Sequence, residues 1–275
     1  MSVTVYDATP CLLGEGPLWH PERGALFWFD FLGKRLMSKA QSWAFDEHVS
    51  AAGWIDDRQL LVASETALFV FELDTGLRRD ICALEAEDAA TRSNDGRADP
   101  WGGFWIGTMG KGAEPGAGSI YRYFRGELHR LVTEITVSNA IAFAPDRSCA
   151  YYTDTEDGRI LRQPLDAEGW PDGAPSVFVD ARGEDWGPDG AVVDADGRLW
   201  NAQWGAGRVA CYGTDGTLLQ TLNLPAPFTT CPAFGGADLG TLYVTSAQQG
   251  GEAPAGQTFA VRVDATGQAE HRVIL

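Results

Sequence analysis

Positive charge is scarce in this sequence of 275 residues. Lys and Arg together number 21 against 38 Asp and Glu, which gives a formal net charge of −17 at pH 7. Nucleic acids and anionic membrane surfaces both attract Lys and Arg, so this balance argues against either of them as a partner. The charge keeps a protein soluble and says little else about function.

Long apolar runs and paired cysteines are missing as well. No run approaches the roughly 18 residues that a membrane span needs. The first residues show no basic stretch followed by an apolar core, so we expect no secretory signal. The 5 cysteines are scattered, odd in number and never spaced C-x-x-C. We therefore expect reduced, mostly buried thiols in a cytoplasmic protein.

Turn-forming residues are abundant, with 33 Gly and 14 Pro. They separate short segments rich in aromatic and β-branched residues, which is typical of strands, whereas helical periodicity is scarce. Residues 83–90, which are rich in Ala and Glu, form the one short candidate helix. The sequence therefore predicts an all-β protein.

One strand pattern recurs along the whole chain. Each copy begins on apolar or aromatic residues and ends on a small polar residue, at intervals of about 34 to 49 residues, the period of a four-stranded propeller blade. The copies are residues 26–30, 60–64, 104–108, 150–154, 199–203 and 242–246. We predict a six-bladed β-propeller of four-stranded antiparallel blades, with a pair of β-sandwiches as the alternative. Residues 1–275 are expected to form a single domain, in which residues 3–6 and 271–274 close the ring in one shared blade.

Oxygen-bearing side chains precede four of these strands at a constant spacing. Glu15, Asn94, Asn139 and Asp189 lie 10 or 11 residues before the first residue of their strand. The preceding strand of a blade is the innermost one, so these residues should ring one mouth of the central channel. The other two blades offer Ser50 or its neighbours, and Cys231 with Pro232.

Two carboxylates and two amides without His or Cys are typical of a hard-cation site. Ca²⁺ or Mg²⁺ is the expected occupant, and Mn²⁺, Fe²⁺ or Zn²⁺ could replace it. Any one of these residues alone would more often be a turn residue, and Asn94 with Asp95 and Gly96 could form an ordinary turn. The common register of all four favours a site.

Six short motifs are spread over nearly the whole chain. They are LGEGPLW at residues 13–19, RSNDG at 92–96, GTM at 107–109, SN at 138–139, PDG at 188–190 and CPAFGG at 231–236. In this order they closely resemble the motifs of the gluconolactonase/regucalcin (senescence marker protein) family, bacterial sugar-lactonase type. The resemblance implies a six-bladed propeller that binds one divalent metal ion and hydrolyses sugar lactones, and we expect the ion to be Ca²⁺.

The resemblance also implies roles for five residues. Glu15, Asn139 and Asp189 are implied as metal ligands, and Arg92 and Asn94 as substrate-binding residues. Spacing alone makes Asn94 a ligand, whereas the resemblance leaves it to reach the metal only through water or substrate.

Two positions depart from the family pattern. Ala140 stands where members often have Gly after the Ser-Asn pair. Animal members place a Glu shortly after the Gly-Thr-Met motif, whereas Gly110-Lys111-Gly112 follows here and Glu114 is out of register. The substrate preference of those members therefore does not transfer to this chain, and both pentonolactones and hexonolactones remain candidate substrates.

The predicted function is the metal-dependent hydrolysis of a sugar lactone to its aldonic acid. The metal would polarise the carbonyl and Asp189 would act as general base, with no organic cofactor. The alternatives are a non-enzymatic calcium-binding propeller and a metal-dependent esterase of another substrate class. The expected partner is a small-molecule lactone, and the expected state is a monomer or small homo-oligomer.

Overall fold

The computed structural model describes residues 2–249 and 251–275, and 24 β-strands occur among them. No α-helix is present in these residues, so none of them could form a helix that crosses a membrane. The strands are β1 Val3–Asp7, β2 Gly14–His20, β3 Ala25–Asp30, β4 Arg35–Ser38, β5 Ser42–Ala44, β6 Val49–Trp54, β7 Gln59–Ser64, β8 Ala67–Glu72, β9 Arg78–Ala83, β10 Thr91–Ala98, β11 Phe104–Gly110, β12 Gly118–Phe124, β13 Glu127–Ile135, β14 Ser138–Phe143, β15 Cys149–Asp154, β16 Arg159–Pro164, β17 Ser176–Asp180, β18 Gly187–Val193, β19 Leu199–Trp204, β20 Arg208–Tyr212, β21 Leu218–Asn223, β22 Thr229–Gly235, β23 Thr241–Ser246 and β24 Thr258–Arg262.

The strands form six antiparallel sheets of four. Blades 1 to 5 are consecutive strands: β2–β5, β6–β9, β10–β13, β14–β17 and β18–β21. Blade 6 combines β22, β23 and β24 with β1, whose Val3 pairs with Val261. The innermost strands neighbour one another in cyclic order, so the sheets close into a ring. The predicted six-bladed β-propeller is confirmed, and the six recurring segments are the second strands of its blades.

Aromatic side chains hold neighbouring blades together. Trp28, Trp105 and Trp200 are fully buried on second strands of alternate blades. Trp105 meets Phe143 of the next blade edge to face at 5.4 Å between ring centroids, and Trp200 meets Phe234 at 5.8 Å. Such pairs add specific geometry to a large buried area. These pairs connect blade 3 to blade 4 and blade 5 to blade 6.

The prediction of a helix at residues 83–90 is wrong. Strand β9 ends at Ala83, and bends and turns follow up to residue 90. Leu84 is buried, and the carboxylate of Glu85 accepts hydrogen bonds from the hydroxyls of Thr108 (3.0 Å) and Tyr121 (2.7 Å). A helix this short is marginal by itself, so these contacts with blade 3 decide the conformation.

The strand expected at residues 271–274 is also wrong, because β1 alone fills the outer position of blade 6. Residues 264–275, which we term the C-terminal strap, instead cross the end of the channel opposite the predicted site. They contact five blades through Gly267 N to Leu239 O (2.8 Å), Ala195 N to Thr266 O (2.8 Å), Gln268 Nε2 to Phe143 O (3.1 Å), Arg97 Nη1 to Glu270 Oε1 (2.7 Å) and Val273 N to Trp54 O (2.9 Å). The predicted single domain of residues 1–275 includes Met1 and Gly250, which lie outside the described residues.

Candidate functional site

Each of the six innermost strands carries a β-bulge near its start. In blades 1, 4 and 5 the pairing is interrupted between Glu15 and Leu18, Asn139 and Ala142, and Pro188 and Ala191. The other innermost strands are interrupted at corresponding places. A bulge kinks its strand and redirects side chains away from the regular alternation. The predicted site residues all lie in these bulges or directly beside them.

The structure brings all five predicted site residues into one cavity of about 360 Å³ at the channel mouth. This volume lies within the range of small-molecule sites. The five are Glu15, Arg92, Asn94, Asn139 and Asp189, and the remaining lining residues are Leu13, Met109, Ala113, Val137, Thr155, Glu156, Trp204 and Gln249. Four of the six blades therefore supply predicted polar groups to a single cavity, as the constant spacing before the recurring strands predicted.

The two amides are fixed by a chain of hydrogen bonds across blades 3, 4 and 5. Asn94 Nδ2 donates to Ser138 O (2.7 Å) and to Asn139 Oδ1 (3.2 Å). Asn139 Nδ2 donates to Thr155 Oγ1 (2.9 Å), which in turn donates to Pro188 O (2.8 Å). Because the Asn139 nitrogen is engaged by Thr155, its amide has a defined orientation.

Arg92 brings a cation to the cavity wall. Its Nη1 donates to Asn94 Oδ1 (2.7 Å) and to Ser93 O (3.0 Å), and its guanidinium lies 4.1 Å from the centroid of the Phe31 ring. Burial lowers the pKa of Arg92 to about 10, so the group stays protonated at neutral pH. The cavity thus contains a charged, planar hydrogen-bond donor.

Two carboxylates of the cavity, Glu15 and Asp189, have raised pKa values. Asp189 is 5% exposed, and its Oδ1 accepts a hydrogen bond from Gly190 N (3.0 Å). Burial, with the charges of Glu15 and Asp95, raises the pKa of Asp189 well above its usual range. Burial and Asp95 likewise raise the pKa of Glu15 to about 8. Concentrated negative charge in a buried place is unfavourable without a compensating cation.

The donor set fits a hard divalent cation. Carboxylate and amide oxygens are the ligands that Ca²⁺ and Mg²⁺ prefer. Among the described residues that line the cavity, Arg92 is the one cation, and Asn94 already engages it. The described part of the chain contains no cluster of three or more His, Cys, Asp and Glu arranged to hold a metal. A cation at this mouth would therefore depend on Asn139 beside Glu15 and Asp189.

The sequence pattern did not identify Asp95, nor the polar lining residues Thr155, Glu156 and Gln249. Asp95 is buried in the channel, and its Oδ2 accepts a hydrogen bond from Ile141 N (2.7 Å). The segment that could have been a turn is instead the bulge of β10, which is why both Asn94 and Asp95 leave the sheet pairing. Thr155 directly follows the recurring strand at residues 150–154, and that position could have identified it. In the sixth blade, Cys231 is buried in the channel rather than in the cavity wall.

The loop after the Gly-Thr-Met motif explains the second departure from the family pattern. Glu114 Oε2 accepts a hydrogen bond from Gly112 N (3.0 Å), so this carboxylate closes its own turn. Ala113 is the residue of that loop that lines the cavity. This loop therefore contributes Ala113, and not the carboxylate of Glu114, to the cavity wall.

Comparison with known proteins places the chain in a family. Residues 13–248 match the family described as SMP-30/Gluconolactonase/LRE-like region. The chain belongs to this family. The resemblance predicted from the six motifs is thereby confirmed.

Two enzymes and one crystal structure illustrate the similarity. The chain is 33% identical to 6-deoxy-6-sulfogluconolactonase of Pseudomonas putida, over 95% of this chain and 94% of the relative. It is 36% identical to L-arabinolactonase of Azospirillum brasilense, over 90% and 85%. The crystal structure of regucalcin, a calcium-binding protein of Agrobacterium tumefaciens str. C58, superposes with a TM-score of 0.96 at 40% identity and covers 98% of this chain and 97% of that one.

Proposed function

We propose that this chain is a sugar lactonase, which hydrolyses an aldonolactone to the aldonic acid with a divalent cation held by Glu15, Asn139 and Asp189. The observation that carries the proposal is the convergence of a buried and a half-buried carboxylate, an oriented amide and a protonated arginine in one cavity of about 360 Å³. Membership of a family whose relatives include a 6-deoxy-6-sulfogluconolactonase and an L-arabinolactonase supports the substrate class.

Ca²⁺ is the first candidate for the cation, because the similar regucalcin structure is that of a calcium-binding protein. Zn²⁺, Mn²⁺, Mg²⁺ and Fe²⁺ are the alternatives that the same oxygen donors would accept. When bound, a divalent cation supplies Lewis-acid polarisation of the lactone carbonyl and acidifies neighbouring water.

Asp189 is assigned as the general base. Its Oδ1 accepts the Gly190 amide, and this hydrogen bond fixes the carboxylate against the bulge of β18. The carboxylate takes a proton from the attacking water while the water oxygen bonds to the carbonyl carbon. It then returns that proton to the ring oxygen as the ester C–O bond breaks, so one water is consumed for each bond opened.

Arg92 and Asn94 are assigned to the substrate. Arg92 is protonated and lies in the wall of the cavity, so its N–H groups can donate to the carbonyl oxygen, where negative charge develops, and to sugar hydroxyls. Asn94 holds Arg92 through its Oδ1 and Asn139 through its Nδ2, which connects the substrate side of the cavity to the metal side.

The deciding experiment is a pH-stat assay of pentono- and hexonolactones. The protein is first treated with a chelator, and each divalent ion is then restored separately, with spontaneous hydrolysis subtracted from a protein-free blank. We expect turnover of at least one lactone that disappears on chelation and returns with the preferred ion.

Three results would redirect the proposal. Tight Ca²⁺ binding without turnover of any lactone would favour a non-enzymatic calcium-binding propeller. Turnover of simple carboxylic esters alone would favour an esterase. Undiminished lactone turnover in fully chelated protein would contradict the role of the metal.

A further inference from the structure

An aromatic stack lies behind the arginine of the cavity. The Phe31 ring is 2% exposed, and the Arg92 guanidinium lies over it at 4.1 Å. The imidazole of His48 stacks on the same ring at 4.7 Å between centroids, with 14° between the planes. The Phe31 ring thus contacts two planar groups, one of which is the guanidinium of the cavity.

Glu65 fixes the far end of this stack. Its Oε1 accepts a hydrogen bond from His48 N (3.1 Å) and lies 3.3 Å from His48 Nδ1, while Glu65 N donates to His48 O (3.0 Å). Its Oε2 pairs with Lys111 Nζ at 2.5 Å. We term Phe31, His48 and Glu65 the Phe31 stack. Its members lie at strand ends of blades 1 and 2, and Lys111 ties them to blade 3.

Acidic residues of the cavity also attract the Arg92 guanidinium, so contact with the Phe31 ring helps to hold it in place. The carboxylates of Glu15 and Asp189 attract the guanidinium, and their charges oppose the effect of burial on its pKa. The hydrogen bonds that Arg92 donates to Ser93 and Asn94 both come from Nη1, so they hold one corner of the guanidinium and the Phe31 ring supports its face. An aromatic face within about 6 Å of a guanidinium adds cation–π attraction and defines its plane.

We propose that Phe31 is a positioning residue for lactone binding, which holds the Arg92 guanidinium in one plane while His48 and Glu65 hold Phe31. The inference rests on the proposed function. Phe31 does not line the cavity among the described residues, so it acts through Arg92 and not on the substrate itself. The face of its ring, more than its volume, is the property required.

The test compares Phe31→Leu with Phe31→Tyr, which retains the aromatic face. We expect Phe31→Leu to lower kcat/KM about 3- to 30-fold, chiefly through KM, as loss of a cation–π contact should. Phe31→Tyr should restore most of the loss. Ca²⁺ affinity, measured by calorimetry, should stay unchanged in both variants.

Blade 2 provides a matched control. Arg78 lies over the Phe69 ring at the same 4.1 Å, and neither residue lines the cavity. Phe69→Leu therefore removes an equivalent contact and should lower stability without raising KM. If Phe69→Leu and Phe31→Leu raise KM alike, a general loss of packing is the explanation and the inference fails.

A double-mutant cycle separates positioning from a merely structural role. If Phe31 acts through Arg92, then Phe31→Leu should have little effect on the residual kcat/KM of an Arg92→Ala protein. An equal loss in both backgrounds would overturn the inference.

A readout without substrate keeps the test independent of the proposed function. The rate at which phenylglyoxal modifies Arg92, followed by peptide mass spectrometry, should rise in Phe31→Leu and not in Phe69→Leu. An unchanged rate would refute the positioning role. Absence of lactone turnover in the wild-type protein would instead refute the proposed function, while the modification rates would still decide the role of Phe31.

Discussion

At the scale of single residues, the candidate site depends on burial as much as on residue type. The register of the strands was sufficient to predict that Glu15 and Asp189 would converge. It could not predict their raised pKa values, because these arise from burial and from Asp95, whose sequence context is that of a turn. Residue identity therefore indicated the ligand chemistry, and only the fold revealed the electrostatics.

Replacement of Asp189 or Glu15 by Ala should remove metal binding and lactone turnover together. Each change deletes a proposed ligand, so the loss of Ca²⁺ affinity should exceed the roughly 10- to 100-fold that removal of an outer partner costs.

Arg92→Ala, in contrast, should raise KM and leave Ca²⁺ affinity nearly intact. Calorimetric titration with Ca²⁺ and the pH-stat assay measure the two effects. Full activity in metal-free Asp189→Ala would contradict the assigned mechanism, and metal loss in Arg92→Ala would contradict the role of Arg92.

His20 should make folding stability depend on pH. It is fully buried; its Nδ1 accepts from Arg23 N (3.3 Å) and its Nε2 lies 3.0 Å from Asp56 O, which suits the neutral ring. Burial lowers the pKa of His20 below its usual 6.5. The unfolded chain then binds more protons, so this contribution is complete above about pH 6.5 and declines as pH falls toward the folded-state pKa.

The measurement is urea unfolding of the wild type and His20→Gln at several pH values between about 5 and 8. The wild type should lose more stability than the variant on acidification. His129→Gln, at a more exposed position with 42% of its side chain accessible, is the control and should follow the wild type. Parallel curves for wild type and His20→Gln would contradict the prediction.

At the scale of strands, the bulges convert regular β-structure into a site. Gly16 follows Glu15 and Ala140 follows Asn139, and both have positive φ, at 50° and 58°. L-residues rarely adopt this region because their Cβ is crowded there, whereas Gly has no Cβ. The family's preference for Gly after the Ser-Asn pair thus has a physical cause, and Ala140 occupies a strained position.

Gly16→Ala should disturb the site more than a comparable substitution elsewhere. A Cβ at Gly16 would lie 2.3 Å from Ser50 O, so the bulge would have to shift and Glu15 would shift with it. At Gly24, φ is also positive (57°), but no heavy atom lies within 4 Å of the point that an added methyl group would occupy, so Gly24→Ala retains only the backbone cost of about 1–2 kcal/mol. Ca²⁺ affinity should fall in the first variant alone. Equal affinities, measured by calorimetry, would show that the bulge does not position Glu15.

The strands that pair with their neighbours in sequence, in a pattern repeated in every blade, could be predicted from the sequence. The second strands could be predicted from alternation and period, since each strand pairs with its neighbour in sequence. The conformations of residues 83–90 and of the C-terminal strap could not be predicted in this way. Their conformations are set by distant groups, such as Tyr121 for Glu85 and Arg97 for Glu270, and no pattern within either segment reveals those partners.

At the scale of the whole molecule, two segments close and brace the ring of blades. Strand β1 completes blade 6, and the C-terminal strap joins five blades beneath the channel. The ion pair between Arg97 and Glu270 anchors the strap; the two side chains are 10% and 7% exposed. Because Arg97 also donates to Ile141 O (3.2 Å) and Ala191 O (3.1 Å), the pair connects the strap with blades 3, 4 and 5.

Glu270→Ala should therefore destabilise the protein strongly. It leaves Arg97 buried and without its carboxylate, and breaking a buried pair in this way costs about 3–5 kcal/mol. The exposed pair of Asp238 with Arg262 is the control, and Asp238→Ala should change little. Urea unfolding gives both values. A loss no larger than that of the control would show that the strap contributes little to closing the ring.

The pairing of β1 with β24 also imposes an order on synthesis. The ribosome delivers Val3–Asp7 before blades 1 to 5 and its partner Thr258–Arg262 after them, whereas blades 1 to 5 are each contiguous and can fold as they emerge. While blades 1 to 5 are synthesised, β1 has unpaired backbone groups, which are a template for any other exposed edge. A nascent chain arrested before residue 258 thus has five blades and an open edge, and crowded ribosomes on one messenger would hold several such edges close together.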